Sequence, residues 1–526
     1  MATATATAIP VPAEETIDKR KLIAFLAMVF GMFMAILDIQ VVSASLPQIQ
    51  AGLGASGDEI PWVQTAYLVA EVVMIPLSGF LSRAFSTRWT FAVSCAGFTV
   101  MSFMCGTATN INEMIIYRAL QGFIGGGMIP TVFAAAFTIF PRSKQAIVSP
   151  MIGLVATLAP TIGPTVGGIL TDAISWHWLF FINVVPGVIV TLMTFSMVDF
   201  DEPDLSLLSN FDWTGLISMA VFLGGLEYAL EEGPGHDWFA ETPVLVMSVL
   251  AAVGAVVFFA RVLLARQPIV DLYAFKDGNF ATGSLLSFVL GVGLYGLTYL
   301  FPVYLAGVRG YDSRMIGETM FVTGLCMFFT APIAGNLTRF VDPRLMIAGG
   351  FIGFAAGTWI MTGITHDWDF YEILLPQILR GVSLMICMVP ISNIALGTLP
   401  PARIKNASGL FNLMRNLGGA VGLAIINTAL NKRQDLHLSR LGEAVNWSRD
   451  NVMQTYENMK AGFVAFGAAA DQMTVSRLVG LMRREALVMA FSDVFLLLTL
   501  LFGLLSFSIF MLKKPQMAGG GGGGGH

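Results

Sequence analysis

Charge is what this 526-residue sequence has least of. Charged residues make up 12% of it, against about 25% in an ordinary soluble domain. The four cysteines, Cys95, Cys105, Cys326 and Cys387, form no CxxC pair and fall within apolar runs, so they read as buried packing residues rather than disulfide or metal partners. No GxxxxGK[ST] phosphate loop is present, which excludes ATP hydrolysis by that motif as an energy source. HExxH and GxSxG are also missing, which weakens the case for a membrane-embedded hydrolase. Neither a cofactor, a metal nor a nucleic-acid partner is expected. What is abundant is apolar: 55% hydrophobic residues, 55 glycines and a mean hydropathy of +0.73 describe an all-α polytopic membrane protein.

Windows of about 20 apolar residues fall near 22–46, 61–82, 90–108, 111–131, 147–171, 178–198, 213–231, 242–264, 280–306, 315–337, 344–363, 371–398, 407–430 and 487–511. Fourteen spans put both termini on one side. Lys19, Arg20 and Lys21, Arg83 and Arg88, Arg142 and Lys144, Arg266 and Lys276, Arg339 and Arg344, Arg403 and Lys405, Lys513 and Lys514 sit in alternate connections, which the positive-inside rule makes cytoplasmic. The other connections hold Asp58-Glu59, Glu113, Glu231-Glu232 and His366 to Asp369. The acidic stretch from Asp199 to Asp212 resists this pattern but is cytoplasmic by counting. No apolar core precedes Lys21, so the first span is expected to be the targeting signal.

An internal repeat organises the chain. Gly79-Phe-Leu81-Ser-Arg83, followed by Arg88, matches Gly335-Asn-Leu337-Thr-Arg339, followed by Arg344, 256 residues later. The same offset brings Gly153 onto Gly409 and Gly163 onto Gly419. Arg118-Ala-Leu-Gln121-Gly122 pairs with Gln377-Ile-Leu-Arg380-Gly381 at an offset of 259. Two related six-span bundles at 22–200 and 276–514 are therefore expected. A cytoplasmic tail would occupy 1–21, a linker with two inserted helices 201–275, an outer loop 431–484 within the second bundle, and a Gly-rich cytoplasmic tail 515–526. Parallel halves with a binding site at their interface are a transporter architecture.

Ionisable residues inside spans cost about 2.5–3.5 kcal/mol on insertion scales, so each requires a reason. Asp38 and Arg118 lie at similar depths, roughly 12 and 10 Å from the outer ends of spans one and four. If their faces converge, Arg118 holds Asp38 charged until a proton or a cationic substrate competes; a static ion pair that fixes packing is the alternative. Glu71 sits roughly 15 Å into span two and either takes part in the proton cycle or attracts cations, or is a hydrogen-bonded neutral acid. Gln377, Arg380, Arg415 and Asn412 are candidates for a substrate cavity, although for Arg415 a structural role weighs more. Glu227 and Asp493, near outer span ends, read as solvated or structural, and His177 between two tryptophans as an interfacial anchor. Met453, Tyr456, Met459 and Phe463 give the outer loop a helical apolar stripe, either resting on the bilayer or bundle or docking a partner.

The residues of Leu37-Asp38-Ile39-Gln40-Val41-Val42 with Leu46-Pro47, Arg118-x-x-Gln121-Gly122, Trp176-His-Trp178-Leu-Phe-Phe-Ile-Asn183-Val184, and Pro268-Ile-Val-Asp271-Leu272 together resemble the major facilitator superfamily. Specifically, they resemble its fourteen-span drug:proton antiporter branch, the EmrB/QacA-like group. Gly153, Pro160, Gly163, Pro164, Gly167 and Gly168 resemble that branch's antiporter motif in helix five, and Gly79, Arg83 and Arg88 its cytoplasmic gate loop. An acidic residue is usual where Arg83 stands, so the family's Asp-based latch does not carry over. The resemblance implies proton-driven export of lipophilic, drug-like compounds by an EmrB-type pump of a bacterial inner membrane. It also implies a periplasmic EmrA-like adaptor and an outer-membrane TolC-like channel. Export of a specific metabolite, siderophore or fatty acid is the nearer alternative, and a channel or sensor on the same scaffold the more distant one. Gly163-Pro164 is expected to bend span five and seal it between the two halves.

Overall fold

In the computed structural model, residues 18–508 are described, apart from 44, 58, 142–144 and 266. Residues 1–17 of the expected first tail, the whole of the expected second tail with Lys513 and Lys514 before it, and the loop residues Asp58, Arg142, Lys144 and Arg266 lie outside the described residues. All regular structure among the described residues is helical. Among the described residues, fourteen helices are long and apolar enough to cross a membrane. Spans one to seven are Lys19–Ser43, Trp62–Ala84, Ser86–Gly106, Ile111–Ile139, Ile147–Ala173, Trp178–Met197 and Trp213–Gly235. Spans eight to fourteen are Thr242–Leu264, Gly278–Gly307, Arg314–Leu337, Pro343–Met361, Phe370–Leu396, Ala402–Ala444 and Ala470–Phe507. Lipid can satisfy no backbone polar group, so helices that close their own hydrogen bonds are what such runs can form.

Short polar connections start these helices. Asn110 Oδ1 accepts from Glu113 N at 3.0 Å, Asp312 Oδ1 from Met315 N at 2.8 Å, and Asp369 forms a capping box with Glu372. The acidic stretch that resisted the charge pattern has similar local work. Asp204 caps a short 3-10 helix, while Asp212 caps span seven and pairs with Arg261 of span eight at 2.8 Å.

The halves meet most extensively through two helix pairs, span two on span thirteen and span five on span ten, with span four on span thirteen and span five on span twelve beside them. The 256-residue offset carries span two onto span ten and span five onto span thirteen, so each pair is the image of the other. The same correspondence holds inside the halves. A Cβ on Gly163 would lie 2.4 Å from Gln40 Cβ of span one, and one on Gly419 would lie 2.3 Å from the Tyr295 ring of span nine. Only glycine permits either approach, as small residues do at membrane helix crossings. Span seven packs on spans two and eight, and span eight turns Val249, Val253, Val256 and Leu263 outward, as a lipid-facing helix would.

Three expectations change. The stretch 431–484 is largely helical: span thirteen continues to Ala444, a helix runs Asp450–Ala461, and span fourteen begins at Ala470. At 1.5 Å per residue span thirteen is roughly 65 Å long, about twice a bilayer's hydrocarbon thickness. Arg433 and His437 of span thirteen meet Asp493 of span fourteen at 2.7 and 2.6 Å, and the Asp450–Ala461 helix buries no residue. Apolar windows locate the membrane, whereas helices end where capping ends them, which is why the sequence windows stopped short. Secondly, Gly163 seats span five against span one of its own half; Thr165 against Gly317 and Leu158 against Gly324 face the other half. The helix stays continuous through Pro150, Pro160 and Pro164. Thirdly, Cys326 is half-buried, while the other three cysteines are buried.

Candidate transport site

Asp38 and Arg118 meet. Arg118 Nη1 donates to Asp38 Oδ2 at 2.5 Å, with both side chains fully buried. The fourth-helix motif explains the placement, because a Cβ on Gly122 would lie 2.3 Å from the carbonyl oxygen of Tyr67. Spans two and four can therefore touch, which sets the guanidinium over the Tyr67 ring at 4.2 Å and lets Arg118 Nε donate to Val63 O at 3.1 Å. The second carboxylate oxygen, Asp38 Oδ1, accepts from Gln121 Nε2 at 3.3 Å and Asn183 Nδ2 at 2.8 Å, and Asn183 also reaches Ser102 Oγ at 3.1 Å. Asn183 appeared in the sequence only within a motif; its role depends on span six crossing span one, for which no local signal exists. The carboxylate thus has three donors, as a buried charge requires.

A cavity of about 730 Å³ opens between the halves, within the range of small-molecule sites. Its apolar lining includes Ile39, Leu68, Ile129, Pro302 and Leu423. Among the described residues five acids line it, Glu71, Asp172, Glu227, Glu231 and Asp312, against one basic residue, Arg415. It runs toward the span ends remote from Lys19, where Ser43, Asp172, Ala306 and Asn427 lie. Asp38 and Arg118 are not part of its wall, although Ile36, Ile39 and Gln40 are: the pair faces the inside of the first half. Glu71 is 4% exposed and Glu227 is 7% exposed, so of the two readings of Glu227, solvated or structural, the solvated one does not hold. Span seven leans on span two, with Trp62 and Tyr228 rings 5.4 Å apart and Thr65 Oγ1 donating to Glu232 at 3.0 Å, and this turns Glu227 inward.

Of the cavity candidates on the second half, Arg415 lines the wall. Its Nη2 donates to Asn412 Oδ1 at 2.8 Å, and its Nε and Nη1 have no hydrogen-bond partner among the described residues. Asn412 stands behind it, bonded to Ser408 O at 2.9 Å. Gln377 and Arg380 lie away from the wall. Gln377 bridges Thr323 Oγ1 at 2.6 Å and Thr319 O at 2.7 Å in span ten, and Arg380 donates to Thr298 Oγ1 and lies over Phe301 at 5.7 Å. Of the helix-five motif, Pro164 reaches the cavity, Gly153 faces Met388 of span twelve, Gly167 approaches Val41 O, and Pro160 and Gly168 are buried. His177 stacks on Trp176 with centroids 3.8 Å apart.

The Lys19 end is closed. A Cβ on Gly79 would meet Asn406 Cα and Lys405 O at 2.9 Å, so spans two and thirteen are in backbone contact there. Arg83 is half-buried, with Nε 3.4 Å from Gly79 O, and Arg88 reaches Asp199 at 3.7 Å. Asp201, from the acidic stretch, accepts from Thr87 N at 2.9 Å and pairs with Lys405, whose Nζ also donates to Ser82 O at 3.0 Å. Asn406 Nδ2 donates to Asp271 O at 3.0 Å, and Ser149 Oγ to Asn393 Oδ1 at 2.7 Å. Asp201 and Lys405 thus tie the ends of spans two and three to span thirteen.

Two helical halves, closed together at one end and parted by a cavity at the other, with charges held inside the spans, define a membrane transporter rather than an enzyme. The chain belongs to the Major Facilitator Superfamily, whose family model matches residues 28–423. It is 41% identical over 488 residues to the colistin resistance protein EmrB of Acinetobacter baumannii, covering 93% of this chain and 95% of that protein. To the multidrug export protein EmrB of Escherichia coli K12 it is 30% identical, covering 95% and 97%. To the fatty acid resistance protein FarB of Neisseria gonorrhoeae it is 29% identical, covering 94% and 96%. Among solved structures it resembles the human organic anion transporter MFSD10 (TETRAN), with a TM-score of 0.57 at 12% identity over 92% of this chain and all of that one, which speaks for the fold alone.

Proposed function

We propose that this protein is a proton-driven antiporter that exports lipophilic, amphipathic toxic compounds across a bacterial inner membrane. The observation that carries the reading is the cavity: apolar walls with five acids and one arginine, set between two halves whose spans two and thirteen close against each other at the opposite end. Apolar walls take up a greasy body without demanding a fixed shape, and carboxylates take up protons or cations. The resistance and export named for the relatives from A. baumannii and E. coli support the same direction. With the Lys19 end cytoplasmic, as the basic residues Arg83, Arg88, Lys276, Arg339 and Arg403 favour, the structure is outward-facing. Asp38 with Arg118, and Glu71, are the proton-coupling groups of this reading. Bundles 22–200 and 276–514 rock about the cavity, and both termini are cytoplasmic.

The projecting ends of spans thirteen and fourteen, with the exposed Asp450–Ala461 helix between them, extend beyond the membrane on the cavity side. In the same proposal they meet an EmrA-like periplasmic adaptor that leads to a TolC-like channel. Export of a fatty acid, the activity that the name of the N. gonorrhoeae relative suggests, fits an acid-rich lining less well than export of cations does. The test is the resistance profile of a deletion strain, complemented with the wild-type chain. Broad loss of tolerance to unrelated amphiphiles, restored on complementation, supports the reading; sensitivity confined to one metabolite or to fatty acids overturns it.

A further inference from the structure

The acids that the cavity exposes are not the pair on which the sequence concentrates. Asp38 is saturated by Arg118, Gln121 and Asn183 and has no share in the cavity wall. Glu71 and Glu227 are more than nine-tenths buried, line the cavity, and have no hydrogen-bond or ion-pair partner among the described residues. An acid without a partner at that depth is costly. Glu227 comes from the inserted span seven, which the six-span repeat does not require. Glu231 stands one turn further out on the same wall and is exposed to the cavity. Carboxylates four apart on a helix are neighbours, with Cβ atoms about 5–6 Å apart. Span seven runs antiparallel to span two, with Gly224 against Val69 and Glu232 bonded to Thr65, so Glu227 lies about a turn from Glu71.

We propose that Glu227 is a second proton-binding group of the transport cycle, loaded from the open end through Glu231 and exchanging protons with Glu71 across the cavity. This rests on the proton-antiport reading above. A proton from water at the cavity mouth neutralises Glu231, leaving behind a hydroxide or neutral water according to its source. It then passes to Glu227 through water in the cavity, which restores the Glu231 carboxylate and makes Glu227 a neutral carboxylic acid. The charged and titratable groups that share the cavity wall with Glu227 are Glu71 from span two, Asp172 from span five, Glu231 from its own span, Tyr295 and Tyr299 from span nine, Tyr311 and Asp312 from the connection before span ten, and Arg415 from span thirteen. Glu232 is not part of the path, because Thr65 occupies it and His236 lies 3.6 Å away. The inserted spans thereby give the first half an acid ladder that the repeat alone does not supply.

The experiment uses the purified full chain in proteoliposomes, with a fluorescent quaternary-ammonium amphiphile as the transported probe and a trapped pH dye. For Glu227→Gln, proton-driven transport falls at least tenfold, while substrate counterflow without a pH gradient falls by a clearly smaller factor. The pH profile of transport loses a titration step, and Glu227→Asp recovers at least half of the driven rate. Glu231→Gln slows proton-driven transport and leaves the position of the profile in place. Equal losses of driven transport and counterflow, with an unshifted pH profile, or an unchanged proton-to-substrate ratio in Glu227→Gln, overturn the proposal. Wild-type protein that moves the amphiphile without any proton movement overturns the antiport reading itself, a different outcome.

Discussion

Replacing Asp38 with Asn removes one member of a buried ion pair while keeping its shape. Arg118 then keeps its charge at 0% exposure, with only the Val63 carbonyl, the Gln121 side chain and one amide oxygen to satisfy it. Breaking such a pair from one side costs about 3–5 kcal/mol. Replacing Arg118 with Gln costs a comparable amount, because the carboxylate is left with the Gln121 and Asn183 amides alone. The double variant carries neither charge, so its loss is smaller than the sum of the two single losses by at least about 1 kcal/mol, within the 0.5–3 kcal/mol typical of residues in contact. The assay is a double-mutant cycle of denaturant unfolding in one detergent, followed by tryptophan fluorescence. Additive losses refute the coupling, and single losses below about 1 kcal/mol refute the claim that the pair is sealed from water.

Other outcomes follow from the same geometry. Gly163→Val places branched carbons where Gln40 Cβ already stands 2.4 Å from a Cβ, so membrane-inserted protein falls sharply on immunoblots, whereas Gly349→Ala, with open space at its Cβ, leaves it unchanged. Asp201→Asn and Lys405→Ala each loosen the closed end. Spin-label distances across spans two and thirteen broaden toward longer values at that end, and unchanged distributions would show that backbone contact at Gly79 alone keeps it shut.

Much of the architecture is legible because apolar length, alternating basic connections and a 256-residue echo are local or periodic signals. The pairing of Asp38 with Arg118 is legible for the same reason: depth can be counted along a helix. Orientation about the helix axis cannot be counted so simply, which is why Glu227 reads as solvated or structural from its position near a span end but lies buried in the cavity wall. Asn183 and Asp201 escape notice because their partners lie 145 and 204 residues away, and only the packed bundle brings them together. The long outer segment is misjudged for a different reason: its charges end the apolar window without ending the helix. Arg380 shows the limit of reasoning by repeat, since the image of the Arg118 site closes on Thr298 rather than on an acid.

Whether a proton gradient drives export through the acid-lined cavity is decided in proteoliposomes of the wild-type chain and of Asp38→Asn, loaded with a fluorescent amphiphile under an imposed pH gradient. The expected result is gradient-dependent transport with counter-moving protons in the wild type, and its loss in a folded Asp38→Asn protein. Transport by the wild type that ignores the gradient, or coupled transport undiminished in Asp38→Asn, rules out proton-driven export of this kind.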